Sequence, residues 1–192
     1  DNKEVRDNQL EIIMEESDRL NTLVNDVMDL SLLQAGQKKL ELRSFCINKK
    51  IEDILLRFNL LVQNDGFNFN INNHFGRDVF VLADEVRIEQ VLYNLINNAV
   101  NHIGDVKNIT ISLVQDGQEV RVEVNDTGTG IPQEEIPHIW DRYYKSFKKA
   151  GGTGLGLSIV KAILINHKSR FGVYSTLNVG STFWFTLQMY IE

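Results

Sequence analysis

Hydrophobic positions along the chain fall into two regimes. Residues 1–35 contain neither Gly nor Pro, and Leu10, Ile13, Ser17, Leu20, Val24, Val27 and Ser31 step by three and four. That is heptad spacing with serine at two seam positions. Met14, Leu23 and Leu30 widen the stripe, as in a bundle helix rather than a two-stranded coil. The pattern predicts one helix of roughly eight or nine turns, ended by Gly36. A stripe this long needs partner helices, unless the helix folds back on its own domain.

After Gly36 the period changes. Lys39–Ile47 alternates weakly, like an edge strand. Asn48 then reads as the cap of a helix running to about Val62, with Ile51, Ile54, Leu55, Phe58, Leu61 and Val62 at helical spacing. Phe67–Ile71 and Val79–Leu82 read as short strands. Asp84–Ile103 is a second helix, with Ile88, Val91, Leu92, Leu95, Ile96 and Ala99 on one side. Ile109, Ile111 and Leu113 alternate, Asp116-Gly117 supplies a turn, and Val120, Val122 and Val124 alternate again, which predicts a hairpin. Leu155–Asn166 is a third helix, and Phe171–Tyr174 and Thr182–Met189 are closing strands. This order predicts an α/β layer, a mixed and largely antiparallel sheet backed by helices. The βαβ dinucleotide pattern is absent.

Composition narrows the function classes. Lys and Arg number 20 against 26 Asp and Glu, for a formal charge of −6. That balance does not suggest a nucleic-acid surface. The whole excess lies in residues 1–35, which hold nine acids and three bases; residues 36–192 hold 17 of each sign. A lone Cys46 excludes a disulfide framework and a multi-cysteine metal site. No apolar run approaches the roughly 18 residues of a membrane span, and the N-terminus lacks a signal-peptide core. The expectation is a cytoplasmic chain, or the soluble piece of a longer one.

Four segments could carry chemistry. Val124–Pro132 places Asp126 at a strand end, with Gly128 and Gly130 after it. Glycines there let backbone approach a flat ligand, and a buried carboxylate can accept from an exocyclic amine; a plain turn has the same spelling. Gly151–Ser158 brings four glycines to a helix N-terminus, where free N–H groups and the dipole suit phosphate. It lacks a P-loop ending and could be a linker. Asn94 and Asn98 stand i, i+4 on one helix face, a poor use of asparagine unless an amide oxygen ligates Mg²⁺ or the face is simply solvated. Asp141–Lys149 gathers cations, including Arg142 and Lys145, that suit polyphosphate or an exposed loop.

Taken together, residues 84–187 resemble the catalytic and ATP-binding domain of a sensor histidine kinase, in the GHKL ATPase superfamily. Asn94–Asn98 matches the N box, and Asp126, Gly128 and Gly130 the G1 box. Ile139–Tyr144 matches the F box, with Trp140 where Phe is usual. Gly152, Gly154 and Gly156 match the G2 box, and Gly180–Phe183 the final glycine box. Upstream, Glu16–Ser31 resembles the second helix of the dimerisation and phosphotransfer hairpin. The resemblance implies an α+β fold, a two-layer α/β sandwich of the Bergerat type with three helices behind a mixed sheet. It implies residues 1–36 as the hairpin helix and 37–192 as the ATP domain.

By that resemblance, Asp126 binds the adenine amino group, with Thr182 nearby through water. Asn98 ligates Mg²⁺, and Asn94 and His102 contact the nucleotide. Residues 152–156 (Gly152, Thr153, Gly154, Leu155, Gly156) hold the phosphates, Arg142 and Lys145 reach them from a lid, and Tyr144 and Trp140 anchor the lid's base. Gyrase-type ATPases carry Glu where Asn94 stands. An amide cannot act as a general base, so the site should hold ATP and offer its γ-phosphoryl to a better-placed nucleophile.

The family's phosphoacceptor is a His followed by an acid. His74, His102, His138 and His167 precede Phe75, Ile103, Ile139 and Lys168, so the acceptor is expected outside this chain, in a longer kinase. Asn101 stands where Lys is common, and Lys168-Ser169 replaces a usual Gly-Gly turn. The implied partners are a second copy through the bundle helix and a response regulator, with any membrane anchor in segments outside this chain. Competing readings are an anti-sigma-type nucleotide-dependent binding module and a gyrase- or chaperone-type ATPase.

Overall fold

The computed structural model describes residues 6, 14, 17, 20, 21, 23, 24, 27, 28, 30 and 31, then 39–62, 65–145 and 153–190. The chain divides into two compact units, Asp1–Lys38 and Lys39–Glu192. Every described residue of the first unit is helical. Its Ser31 hydroxyl donates to the Val27 carbonyl at 2.8 Å, and Leu20, Val24, Val27 and Met28 are exposed. Gly36, the expected helix stop, lies outside the described residues. Among those described, no helix is long and apolar enough to cross a membrane.

The second unit is a two-layer sandwich. A five-stranded sheet runs in the order β2 (Asn68–Asn73), β4 (Asn108–Asp116), β5 (Glu119–Asp126), β7 (Gly180–Gln188) and β6 (Phe171–Thr176). β2 lies parallel to β4, and all other neighbours are antiparallel. β1 (Leu42–Cys46) and β3 (Phe80–Asp84) form a separate ribbon, which meets the end of β7 through a Val81–Met189 bridge. Three helices cover one face: α1 (Ile47–Leu61), α2 (Glu85–His102) and α3 (Gly156–Asn166). The elements read from periodicity between residues 39 and 190 are present, with ends shifted by a few residues.

Period-two alternation decides which face is dry. Ile109, Ile111, Leu113, Val120, Val122, Val124 and Phe185 are fully buried against the apolar stripes of the helices, each such side chain contributing about 1.5–3 kcal/mol. The opposite face holds Trp184, stacked on Tyr174 with ring centroids 6.1 Å apart and covered by the Arg121 guanidinium at 4.2 Å. α1 is tied to α2 by ions. Lys50 Nζ reaches Glu85 at 2.8 Å and Glu89 at 2.9 Å, and Arg57 meets Glu89 at 2.6 Å. Burial opposes both charges, yet these bonds hold Lys50 above and Glu89 below their ordinary pKa values.

One local expectation is corrected. Asn48 does not cap α1: the cap position is Cys46, which makes no side-chain cap bond. Asn48 lies buried in the first turn, and its Oδ1 accepts from the Val79 N–H at 2.8 Å. The Val79 carbonyl in turn accepts from Ile47 N–H at 3.0 Å. A buried strand-end amide thus claims the side chain that propensity assigns to a cap.

Asn48→Ala leaves the Val79 N–H buried without a partner. It is expected to cost about 1–3 kcal/mol in urea unfolding, and a loss under ~0.5 kcal/mol would show that the bond carries no stability.

Candidate functional site

Asp126 ends β5 and is 4% exposed. Its Oδ1 accepts from the Gly128 N–H at 2.8 Å. Burial pushes its carboxyl above the ordinary value, and N–H groups of Gly128 and Ser181 pull the other way. The following loop runs between the end of α2 and the β6–β7 turn. Thr129 N–H donates to the His102 carbonyl at 3.1 Å, and Asn178 N–H to the Thr129 carbonyl at 2.7 Å. Ser175 Oγ accepts from Ile131 N–H at 2.8 Å.

Backbone packs against backbone here. A Cβ on Gly128 would stand 2.2 Å from the His102 carbonyl oxygen, and one on Gly180 would stand 2.0 Å from the Asp126 carbonyl oxygen. Neither position tolerates a side chain without moving the main chain. The carboxylate therefore lies in a slot walled by bare peptide, a setting that suits a flat group able to donate hydrogen bonds.

The strand register decides which residue faces Asp126. Asp126 pairs with Ser181, and Asn125 pairs with Thr182. Directly opposed residues share a face and neighbours alternate. So Ser181, buried at 6% exposure, stands beside Asp126, and its Oγ lies 2.9 Å from Ser175 Oγ. Thr182 points to the other face, where its Oγ1 accepts from Asn125 Nδ2 at 2.7 Å. The hydroxyl expected next to Asp126 is one residue earlier in sequence than Thr182. Parity could have found Ser181, because in a two-residue period only even offsets from Phe183 along β7 share its side.

α2 carries the asparagines. Asp84 caps it, accepting from the Arg87 N–H. Asn94 Nδ2 donates to the Gln90 carbonyl at 2.9 Å. Its Oδ1 is thereby turned toward α3, 2.9 Å from where a Cβ on Gly156 would begin. Asn98 lies one turn on, half-buried, and its side chain has no hydrogen-bond partner among the described residues. Among those residues, too, no three His, Cys, Asp or Glu side chains cluster to hold a metal. A divalent cation here would take one neutral oxygen from Asn98 and the rest from a ligand and water, a fit for Mg²⁺ carried in with phosphate. His102 closes α2 with its side chain exposed and its carbonyl in the slot wall.

The glycine segment enters α3. Thr153 Oγ1 accepts from Leu155 N–H at 3.2 Å, and the Leu155 side chain is wholly buried, so Leu155 can offer a ligand only backbone. Tyr143 N–H donates to the Gly154 carbonyl at 2.9 Å, which brings the lid base to the start of α3. Trp140 packs edge-on against Phe171 and Phe183, with centroids at 5.2 and 5.8 Å. The Tyr144 ring lies 6.2 Å from His138; burial, then a hydrogen bond to Glu135, hold its hydroxyl above the ordinary pKa. Arg142 and Lys145 are exposed. Among the described residues the structure shows no bond from either to Asp126 or Asn94. Gly152 lies outside those residues, as do Lys148 and Lys149.

Residues 83–191 match the family described as histidine kinase-, DNA gyrase B- and HSP90-like ATPase. The sensor histidine kinase WalK of Bacillus subtilis is 30% identical over 97% of this chain, which spans 31% of WalK. The chain thus covers under a third of that relative's length. Full-length ShkA, solved in complex with AMPPNP, superposes with a TM-score of 0.82 at 26% identity, over 96% of this chain and 39% of that one. Histidine kinase ThkA, solved in complex with response regulator protein TrrA, gives 0.75 at 28% identity, over 95% and 51%.

The pKa direction at Asp126 sets a stability test. A carboxyl whose folded pKa is raised binds a proton more readily folded than unfolded, so its ionised form weakens the fold at neutral pH and the cost fades as pH falls through the folded value. Asp126→Asn is expected to melt a few degrees higher than the parent at pH 7, at about 2–4 °C per kcal/mol relieved, with the gap closing in acid. Calorimetry showing a lower melting point for the variant would mean that the charge is stabilising.

Proposed function

The chain belongs to the family of histidine kinase-, DNA gyrase B- and HSP90-like ATPases, and on that premise we propose that it is the ATP-binding catalytic part of a two-component sensor histidine kinase. It transfers the γ-phosphoryl of ATP to a histidine presented by a separate helix. The observation that carries this reading is the Asp126 slot: a buried carboxylate between bare peptide walls, suited to an adenine amino group and a planar ring. The AMPPNP bound by ShkA supports a nucleotide there. Sensor kinases among the relatives do not favour the anti-sigma alternative.

Each residue then has a physical task. Asp126 accepts from the exocyclic amine, and Ser181 supplies a hydroxyl on the same face. Gly128 lets the ring lie against the main chain. The N-terminus of α3, at Gly154–Gly156, directs N–H groups and dipole at phosphate. Arg142 and Lys145 approach the phosphates from the exposed segment that Trp140 and Tyr144 anchor. Asn98 would hold Mg²⁺, which when bound neutralises charge on the phosphates. Asn94 cannot take a proton from water, so ATP persists until a histidine nitrogen arrives. The new bond joins that nitrogen to phosphorus while the bond from phosphorus to ADP oxygen breaks, its electron pair leaving with ADP.

The wider reading is a cytoplasmic catalytic segment of a kinase that is anchored in a membrane through other segments. That kinase pairs with a second copy through the bundle helix and passes phosphate to a response regulator aspartate. The ThkA–TrrA complex supports a regulator as partner.

Calorimetric titration with Mg-ATP tests the site. Asp126→Asn should weaken binding by roughly 10- to 100-fold and Ser181→Ala by roughly 2- to 10-fold, while Thr182→Ala stays within about twofold. Unchanged affinity in Asp126→Asn would sink the assignment. For the chemistry, the chain mixed with a His-Glu hairpin helix and labelled ATP should place label on that histidine and none on its own. Rapid phosphate release without transfer would instead favour a true ATPase.

A further inference from the structure

His167 reads in the sequence as a helix-end residue, and its backbone is one. α3 stops in a Schellman turn: Ser169 N–H donates to the Leu164 carbonyl at 2.9 Å, and Lys168 adopts φ +57°, the position glycine usually fills. The side chain does something the sequence does not announce. Its Nε2 accepts from the Asp84 backbone N–H at 3.1 Å, while its Nδ1–H donates to the Ile163 carbonyl at 2.8 Å. Asp84 is itself a junction: Oδ1 caps α2 through Arg87 N–H at 3.2 Å, and Oδ2 accepts from Glu41 N–H, ahead of β1, at 3.1 Å.

α2 and α3 therefore meet at two levels, one a hydrogen bond and one a close packing contact. Near one end His167 grips Asp84. Roughly 15 Å along the axes, at 1.5 Å per residue, Asn94 stands against Gly156. The helices run antiparallel between these points. Sliding α3 along α2 would break the lower bond and shift the glycine segment against the asparagines.

We propose that His167 is a positioning residue for the nucleotide site: its bond to Asp84 sets how far α3 stands along α2, and so the height of the Gly154–Gly156 backbone relative to Asn94. This rests on the reading of that site as an ATP site. The bond exists in one protonation state only. A neutral ring with its proton on Nδ1 satisfies both partners, and a proton on Nε2 would set donor against donor at Asp84. Burial holds the imidazole below its ordinary value, and the Asp84 charge acts in the opposite sense. Around this end lie Glu41 on the β1 side, Asp84, Glu85 and Arg87 at the start of α2, and Lys168 next to His167 in sequence. Acid should therefore loosen the upper site through the lower bond.

The test is the affinity of the full 192-residue chain for a fluorescent ATP analogue with Mg²⁺, from about pH 8 to about pH 5.5. His167→Phe removes the acceptor and His167→Gln keeps a non-titrating one; folding is checked by circular dichroism. At pH ~8, His167→Phe should bind roughly 3- to 10-fold more weakly than the parent and His167→Gln within about twofold. In acid the parent should lose affinity more steeply than His167→Gln. That comparison cancels titration of the nucleotide and of His102, and it stands even where His167→Phe fails to fold. A folded His167→Phe with parental affinity overturns the proposal, as does an acid loss in His167→Gln equal to the parent's. Equal weakening in both variants at pH ~8 would assign His167 to packing and overturn it as well. A parent that binds nucleotide at no pH refutes the ATP reading instead.

Discussion

The structure depends on main chain touching main chain around Asp126. The carbonyl of Asp126 fills the space where Gly180 would carry a side chain, and the carbonyl of His102 does the same at Gly128. Three separate segments, the end of β5, the end of α2 and the start of β7, are thereby drawn within contact of one carboxylate. Everything else in the domain can be read as support for that convergence. The alternating core of β4, β5 and β7 fixes register, and register alone sets Ser181 rather than Thr182 beside the acid.

The helices behind the sheet act as rigid beams with defined fastenings. α1 is fastened to α2 by Lys50, Arg57, Glu85 and Glu89, and α2 to α3 at the Asp84 and Asn94 levels. The first set is charged and partly exposed. Such pairs contribute modestly to stability and more to geometry. The second set is short-range and neutral, and it lies in line with the residues assigned to phosphate. Salt weakens the first and leaves the second, which involves no ion pair, largely untouched.

The element order was legible from periodicity because each strand and helix of residues 39–190 presents its own apolar face, and the ordered glycine and asparagine motifs made the family legible as well. What escaped reading was decided by tertiary partners. Asn48 has cap chemistry, but the buried Val79 N–H competes for its oxygen and wins. Ser181 and Thr182 both offer a hydroxyl after Gly180, and which of them faces Asp126 is a matter of pairing with β5. His167 announces a helix end, whereas its ring acts across to Asp84, far away in sequence. Lys168 departs from the glycine usual at its place and still takes the left-handed conformation, because the Schellman bonds demand it.

The raised pKa of Asp126 has a consequence beyond recognition. A carboxylate buried this deeply has a demand for hydrogen-bond donors beyond the N–H groups of Gly128 and Ser181. A ligand that meets the demand binds the folded state alone, so it adds stability by mass action, about 2.7 kcal/mol when present at a hundred times its dissociation constant. Transient unfolding, and with it exposure to proteolysis, then varies inversely with the ligand pool.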